Sequence, residues 1–484
     1  MKISVLQNSI TKDFFIERAD GITLLDFLSK EGFVLNAYCG GKGICGKCKV
    51  EILLNGEKKV VSACKTALAN GMCVLLEDTA CSGLTETDGN GILVDKREGF
   101  GAVLDLGTTT LAFALIDLTS GSEIEKISML NPQVSFGADV ISRIAFSKNG
   151  NLVIMQKAIL NATESVLKRF CSIVNKDKLE SLFVSGNTTM LNIFAGEDVT
   201  GIGVAPYTAK ILQSTKLNNL PLSVKETILM PSANAFVGGD AIVGAISVDI
   251  EKGNNIFVDI GTNGEIIVSN KGKYYCTSTA AGPCFEGAKI ECGMGGTAGA
   301  IDHVWLDNGI CFSTIENKSA KGICGSGLID AIAIMLKGNV IDQTGACSKE
   351  KFYISSEVYI TDKDVREFQL AKSAISSGID VLMSIAGLKE EDVDNVFVAG
   401  GLGFYLNKEN AVLVGLLPKG LSSKIKVVGN SSLKGAKSCL LNKTYLDRSI
   451  HLAKKVQNVD LSTKIEFNER FMENMFFGDD NYEL

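Results

Sequence analysis

The chain has 484 residues, of which 46% are hydrophobic and 21% charged, and its formal net charge is −7. Its length predicts two to four folded domains, and its composition excludes an intrinsically disordered protein. The acidic balance excludes a nucleic-acid-binding protein. Because no apolar run reaches about 18 residues and the first residues lack the apolar core of a signal peptide, we expect a cytoplasmic protein without a membrane span.

Residues 1–78 have the pattern of a small separate module. Residues 3–6 and 14–16 are strand candidates, and residues 23–30 are a helix candidate that Gly32 ends. After a cysteine-containing loop, Lys49–Leu54 alternates as a strand does and runs into an Asn-Gly dipeptide at 55–56, which predicts a hairpin turn.

The loop of this module carries cysteines with the spacing C-x5-C-x2-C, followed after fifteen residues by a fourth. These are Cys39, Cys45, Cys48 and Cys64. Four thiolates are what a 2Fe–2S cluster requires, and the interspersed glycines free backbone N–H groups to bond its sulfurs. A zinc site and four buried thiols are the alternatives, although zinc modules usually pair two C-x2-C knuckles.

This motif resembles that of 2Fe–2S ferredoxins of the plant and adrenodoxin type, which implies a β-grasp fold. The fourth cysteine arrives sooner here than in most of those ferredoxins. The other ten cysteines are scattered, and we expect buried free thiols at Cys171, Cys311, Cys347 and Cys439. Many thiols together with a metal centre suggest a reducing cytoplasm, typical of an anaerobe.

Residues 79–100 are polar and glycine-bearing, as a linker is. From residue 101 strands alternate with helices, the pattern of an α/β fold. Two segments recur in the same order, because residues 103–109 resemble 257–263 and residues 182–187 resemble 396–401. This echo predicts two related halves, 101–250 and 251–484. A helix from Thr361 to Gly387 is predicted in the second half.

Three glycine-containing turns follow predicted strands in this region. In the first, Asp105 precedes Gly107, Thr108, Thr109 and Thr110; in the second, Asp259 precedes Gly261, Thr262, Asn263, Gly264 and Glu265; the third contains Gly400, Gly401 and Gly403. Glycine and threonine turns of this kind offer N–H groups and hydroxyls to phosphate oxygens, and an aspartate at a strand end holds Mg²⁺ through water. Each turn alone is also compatible with an ordinary hairpin.

Together and in this order, the turns resemble those of the acetate kinase, sugar kinase, Hsp70 and actin superfamily. The resemblance implies a duplicated α/β, actin-like (ribonuclease H-like) ATPase fold that binds ATP with Mg²⁺. It makes Asp105 and Asp259 the candidates for holding Mg²⁺ and positioning water, with Glu265, Gln133 and Asp139 as weaker candidates. Residues 325–331 look like the connecting helix of that superfamily, in which small residues let helices pack closely.

A ferredoxin-like module ahead of such an ATPase resembles the reductive activators of corrinoid proteins. Further similar stretches are 131–133, 137–144, 186–190, 237–240, 278–283 and 285–288. The resemblance implies ATP-dependent, one-electron reduction of Co(II) to Co(I) in the corrinoid protein of a methyltransferase system. It also implies a low-potential electron donor of the ferredoxin or flavodoxin type and a homodimer.

Three other functions remain open at this point. One is activation of another low-potential enzyme, as for 2-hydroxyacyl-CoA dehydratases, although such activators carry a 4Fe–4S cluster at a dimer interface. The others are a small-molecule kinase with a regulatory cluster and a binding module that senses nucleotide and redox state.

Overall fold

The structure is a computed structural model of the chain. It describes residues 1–7, 10–16, 21–31, 33, 35, 41, 43, 48–76, 94–137, 139–148 and 150–478. The expected cluster ligands Cys39 and Cys45, the helix stop at Gly32 and residues 79–93 of the predicted linker lie outside these residues.

The N-terminal module is a five-stranded sheet with one helix. Its elements are β1 (Lys2–Gln7), β2 (Ile10–Phe15), α1 (Leu24–Lys30), β3 (Lys49–Leu54), β4 (Glu57–Ser62) and β5 (Met72–Leu76). The strand order is β2-β1-β5-β3-β4, with β1 parallel to β5 and the other neighbours antiparallel, as in a β-grasp fold. Thr23 and Asp26 form a capping box at the start of α1, and the Asn55-Gly56 turn has φ angles of 53° and 83°.

The first half of the remaining chain is a six-stranded sheet with helices. Its elements are β6 (Phe100–Leu106), β7 (Thr110–Asp117), β8 (Glu123–Leu130), α2 (Val140–Ser147), α3 (Leu152–Ile173), β9 (Leu179–Gly186), α4 (Thr188–Ala195), β10 (Thr215–Leu217), β11 (Val224–Leu229) and α5 (Gly239–Ser247). The strand order is β10-β11-β9-β6-β7-β8. Most residues of β6 and β7 are buried, which explains their nearly continuous apolar sequence.

The second half repeats this plan. Its strands are β12 (Asn255–Ile260), β13 (Gly264–Asn270), β14 (Lys273–Thr279), β15 (Ala300–Leu306), β16 (Ile310–Thr314), β17 (Gly322–Ile323), β18 (Lys351–Tyr353), β19 (Tyr359–Thr361), β20 (Asn395–Ala399), β21 (Ile425–Gly429) and β22 (Gln457–Asn458). Its helices are α6 (Gly325–Lys337), α7 (Asp362–Ala386), α8 (Lys408–Leu413), α9 (Ser431–Leu441), α10 (Lys443–Lys455) and α11 (Ile465–Glu473). The main sheet has the order β21-β20-β12-β13-β14-β22, so β11-β9-β6-β7-β8 corresponds to β21-β20-β12-β13-β14. The duplication predicted from the sequence echo is confirmed.

Two helices pack side by side between the halves. Helices α5 and α9 approach so closely that a Cβ atom on Gly435 would lie 2.2 Å from the carbonyl oxygen of Val243. Apolar side chains of α9 pack on β6 and β7, whereas those of α5 pack on β12 and β13. The two helices therefore link the sheets, since they pack against each other and each belongs to the apolar cluster on one sheet.

The long helix predicted in the second half is present as α7. Thr361 and Asp364 form its capping box, and Gly387 ends it with a φ of 68°. The C-terminal helix α11 packs along α7, and buried Lys372 of α7 donates a hydrogen bond to the carbonyl oxygen of Phe476 beyond α11. This contact fixes the C-terminal segment to the second half.

The helix of the N-terminal module approaches the ATPase-like body. Helix α1 and the short turn Pro132–Ser135 come within 8 Å, measured between Cα atoms. Within the residues that the structure describes, no helix has the length and apolar character to cross a membrane.

Candidate functional site

A cleft of about 250 Å³ lies between the two halves. It brings together most of the residues predicted from the three turns, namely Asp105, Gly107, Thr108, Thr109, Thr110, Asp259, Gly261, Thr262, Asn263, Glu265, Gly400 and Gly401. Gly403 lies in the third turn, Gly401–Phe404. Gly264 begins β13 and faces Thr279 and Ile375, so a Cβ atom there would meet protein at 2.7 Å. The three turns thus meet, although they are far apart in the sequence.

Hydrogen bonds from neighbouring side chains fix the conformation of the first loop. A Cβ atom on Gly107 would lie 2.4 Å from the carbonyl oxygen of Thr110, so only glycine fits in this tight turn. The buried Asn131 side chain donates to the carbonyl oxygen of Gly107 over 2.7 Å, and Asn187 donates to the Thr108 hydroxyl over 3.0 Å. These contacts fix the loop from behind and leave its front to the cleft.

Arg143 of α2 supports the same loop from within the protein. It donates to the carbonyl oxygens of Thr108 and Gly137 and is fully buried. Burial lowers the pKa of Arg143 to about 9, although the carboxylates of Glu286 and Asp139 oppose this shift. The guanidinium therefore remains charged at neutral pH and adds positive charge behind the first loop.

Both oxygens of the Asp105 carboxylate accept hydrogen bonds. Asn430 donates to Oδ2 over 2.9 Å and Ser432 donates to Oδ1 over 2.7 Å. Both donors lie at the start of α9, which follows β21. Burial raises the pKa of Asp105 and the two hydrogen bonds oppose this effect.

Asp259, its counterpart in the second loop, is placed differently. Among the described residues no donor reaches its carboxylate, and it packs against the third turn, where a Cβ atom on Gly400 would lie 2.7 Å from Oδ1. Burial, with repulsion from Asp240 and Asp105, raises the pKa of Asp259 to about 8. Within the described part of the chain, this carboxylate therefore faces the cleft without a hydrogen-bond donor.

Acidic side chains from both halves gather around Asp259. Burial and repulsion from Asp105 raise the pKa of Asp240 to about 7, and burial with repulsion from Asp240 and Asp259 raises the pKa of Glu265. Like charges that repel one another in a half-buried site favour a bound cation. In the described part of the chain no three acids or thiols converge closely enough to chelate a metal directly. The mutual repulsion of these acids is compatible with a hydrated cation such as Mg²⁺, which keeps much of its water.

Glu286 lies in the same cleft but apart from this acidic group. Its Oε2 atom accepts hydrogen bonds from Thr262 over 2.7 Å and from Thr109 over 3.3 Å. Burial raises the pKa of Glu286, and the two hydroxyls with Arg143 oppose the shift.

Two weaker candidates from the sequence have structural contacts. Gln133 is buried and donates to the carbonyl oxygen of Met155. Asp139 caps α2 by accepting the N–H of Ser142 over 2.7 Å. Both side chains thus make hydrogen bonds that hold neighbouring backbone in place.

Two of the four expected cluster ligands can be compared with the structure. The Sγ atoms of Cys48 and Cys64 lie 3.2 Å apart, and Cys48 is buried. The N–H of Ala63 donates to the carbonyl oxygen of Cys48, which joins the two segments. Two thiols that converge without forming a disulfide fit a shared metal centre.

The other described cysteines are free thiols. Cys171 and Cys439 are buried as expected, whereas Cys311 and Cys347 are only partly buried. The expectation of full burial was wrong for the latter two, because short sequence windows do not show that their segments lie at the surface.

Comparison with known proteins agrees with this arrangement. The corrinoid activation enzyme RamQ of Eubacterium limosum is 31% identical over 569 aligned positions, which cover 94% of this chain and 96% of the relative. The chain belongs to the corrinoid activation enzyme family. The family model for the RACo middle region matches residues 100–253, and that for the C-terminal domain of RACo, described as the ASKHA domain, matches residues 253–484.

Two further relatives of this corrinoid activator are informative. The [Co(II) methylated amine-specific corrinoid protein] reductase of Methanosarcina barkeri is 27% identical over 414 positions, covering 77% of this chain and 76% of that protein. The solved structure of the reductive activator for corrinoid,iron-sulfur protein superposes with a TM-score of 0.73 at 25% identity and covers 98% of both chains. The predicted actin-like ATPase fold is confirmed.

Sequence reasoning gave no role to several residues that line the activator's cleft. Asp240, Asn430, Ser432 and Glu286 are among them. Asn430 follows a strand that ends in glycine, which is the same signal as in the three turns, whereas Asp240 follows two glycines at the start of α5 without a strand directly before them. Glu286 is the last residue of the Pro283–Glu286 turn and had no such signal.

Proposed function

We propose that this chain is an ATP-dependent reductive activator that returns the Co(II) form of a corrinoid protein to Co(I). The observation that carries the proposal is the cleft in which both phosphate loops meet, in a chain related to a corrinoid activation enzyme over 94% of its length. The same cleft supports ATP hydrolysis as the reaction that drives the electron transfer.

We assign a 2Fe–2S cluster to Cys39, Cys45, Cys48 and Cys64. The cluster, when bound, supplies single electrons. The described pair supports this assignment, since Cys48 is buried and its sulfur already lies beside that of Cys64. The pairing of β3 with β4 places the residues near Cys48 and Cys64 opposite each other. Both cysteines pack on the apolar core of the module, to which β3 and β5 contribute.

ATP and Mg²⁺ are assigned to the cleft. Thr108, Thr109 and Thr262 would donate hydrogen bonds to phosphate oxygens, and the tight turn at Gly107 lets the backbone approach them. Asp105 and Asp259 would hold Mg²⁺ through water, with Glu265 adding negative charge. The Gly400–Gly401 turn would lie against the nucleoside.

Coupling to ATP answers an energetic problem. For a one-electron step, each deficit of about 59 mV costs a factor of ten in the equilibrium constant. A low-potential donor of the ferredoxin or flavodoxin type would therefore leave much of the cobalt oxidised. Nucleotide shifts this balance only if its bound states contact the corrinoid protein differently. Closure of the two halves, joined by α5 and α9, is the conformational change that we propose for this.

The proposal includes three further features. The chain acts as a homodimer, in the reducing cytoplasm of an anaerobe, where a cluster and free thiols persist. It is divided into a ferredoxin-like domain at 1–78, a linker at 79–100 and ATPase halves at 101–250 and 251–484.

The approach of helix α1 to the Pro132–Ser135 turn supports communication between the N-terminal module and the first phosphate loop.

The test combines purified, cluster-loaded protein with a low-potential reductant and a Co(II) corrinoid protein, with and without MgATP. We expect the absorbance of Co(I) only when MgATP is present. The double variant Asp105→Ala/Asp259→Ala should lose this dependence and the reduction itself. Equal reduction by that folded, cluster-loaded variant would overturn the proposal.

The cluster assignment has a matched control in the same module. Cys64→Ser should lose the 2Fe–2S absorbance and the ability to reduce cobalt while ATP hydrolysis remains. Cys73→Ser, in β5 and outside the expected ligand set, should keep both. If Cys73→Ser lost the cluster and Cys64→Ser kept it, the ligand assignment would be wrong.

A further inference from the structure

The backbone on both sides of Glu286 is fixed by two close approaches. Gly287 follows it with a φ of 80°, and a Cβ atom there would lie 2.4 Å from the backbone of Met294. A Cβ atom on Gly325, at the start of α6, would lie 2.4 Å from the carbonyl oxygen of Phe285. Since neither glycine leaves room for movement, the Glu286 side chain enters the cleft from a set position.

The Glu286 carboxylate joins the two halves of the molecule. One oxygen, Oε2, accepts the hydroxyl of Thr109 from the first phosphate loop and that of Thr262 from the second. A phosphate oxygen is an anionic acceptor like a carboxylate oxygen, so it can take over the same two hydroxyls. Nucleotide entry would therefore exchange the acceptor and free the carboxylate.

The electrostatics separate Glu286 from the other acids of the cleft. Asp105, Asp240 and Asp259 repel one another, which suits them to a shared cation. Glu286 has the Arg143 guanidinium as its charge partner. A carboxylate that is neither in the cation group nor tied by an ion-pair hydrogen bond can accept a proton during the reaction.

We propose that Glu286 positions and deprotonates the water that hydrolyses ATP, and that it holds the two phosphate loops together before nucleotide enters. The inference rests on the ATP hydrolysis of the proposed function. The water oxygen forms a bond to the γ-phosphorus while the bond from phosphorus to the bridging oxygen breaks. ADP leaves with that electron pair, and one proton of the water passes to the Glu286 carboxylate and then to solvent.

The test measures nucleotide affinity and turnover separately in Glu286→Gln. Glutamine keeps an acceptor for the threonines but cannot take the proton, so we expect turnover to fall by about 10²-fold or more. The affinity for the non-hydrolysable analogue AMP-PNP with Mg²⁺ should stay within about threefold, as for a group that acts in the chemical step. Glu316→Gln, an exposed carboxylate of the same half, should match the wild-type chain in both.

A second variant keeps the inference testable if the glutamine variant does not fold. Glu286→Asp retains the carboxylate but moves it away from the cleft by the length of one methylene group. Its ATP turnover should therefore fall, at nearly unchanged affinity for AMP-PNP, but should remain above that of Glu286→Gln. Wild-type turnover in either folded variant, or a loss of AMP-PNP binding that accounts for the whole defect, would overturn the role of Glu286. Absence of ATP turnover in the wild-type chain would instead overturn the proposed function, and this inference with it.

Discussion

The two phosphate loops have similar sequences but different surroundings. Asp105 is the next-to-last residue of β6, and both of its carboxylate oxygens accept hydrogen bonds from the start of α9. Asp259 has the same position in β12 but faces the cleft without a donor among the described residues. The first loop is also braced by Asn131, whereas the second closes on itself through a bond from the Gly261 N–H to the carbonyl oxygen of Asn263. Among the described residues, duplication has thus produced one loop whose aspartate is held by donors and one whose aspartate has none and is left to meet a ligand.

The largest effect should come from comparing Asp259→Asn with Asp105→Asn. We expect Asp259→Asn to lower ATP turnover by about 10²-fold or more, because it removes the least compensated charge facing Mg²⁺. It should at the same time raise thermal stability, since it relieves repulsion among buried acids. Asp105→Asn should instead lower the free energy of unfolding by about 1–3 kcal/mol. The N–H groups of the new amide would face one of the donors, Asn430 or Ser432, that now bind the carboxylate.

Thermal unfolding without nucleotide, followed by a turnover assay, separates these two expectations. If both variants shifted the melting temperature in the same direction, the two aspartates would have the same role and the contrast between the loops would be wrong.

The next effect concerns the brace behind the first loop. Asn131→Ala leaves the Gly107 carbonyl and the Gln133 N–H without their buried partner, so we expect a loss of about 1–3 kcal/mol in the free energy of unfolding. Asn263→Ala is the matched comparison and should cost less, because it removes a hydrogen bond to Glu265 but keeps the backbone atoms that brace the second loop. Denaturant unfolding measures both, and equal losses would contradict the proposed asymmetry.

The second half carries a C-terminal segment that the first half lacks, and pH should act on its anchor. Burial lowers the pKa of Lys372 to about 7, and its ammonium lies over the Phe477 ring at 5.0 Å. From about pH 7 to the ordinary lysine value the folded chain binds fewer protons than the unfolded chain. Stability should therefore rise with pH in this window, by at most about 1.4 kcal/mol per pH unit.

Lys372→Met should flatten this rise, whereas Lys363→Met, an exposed lysine on the same helix, should keep it. Unfolding of the three proteins at several pH values between 7 and 10 measures the slopes. A slope that is unchanged in Lys372→Met would show that other groups cause the pH dependence.

The contrast between the loops also shows what sequence could predict. Both loops, the third turn and the duplication were predicted correctly, because each is encoded in a short strand followed by glycine, and α7 was predicted from its capping box and its final glycine. The donors to Asp105 were not, since 325 residues separate Asp105 from Asn430. Glu286 was missed for a similar reason: its two threonine partners come from different halves, and only the folded chain brings them together.

The smallest effect should distinguish the two threonines that bind Glu286. Thr262 donates over 2.7 Å and Thr109 over 3.3 Å, so the hydrogen bond within the second half is the stronger one. Thr262→Val should therefore lower the free energy of unfolding of the nucleotide-free protein by about 1 kcal/mol more than Thr109→Val. Valine keeps the shape of threonine, so urea unfolding compares the hydroxyls alone. An equal or larger loss in Thr109→Val would mean that Glu286 is held mainly by the first loop, and the ranking of the two hydrogen bonds by distance would be wrong.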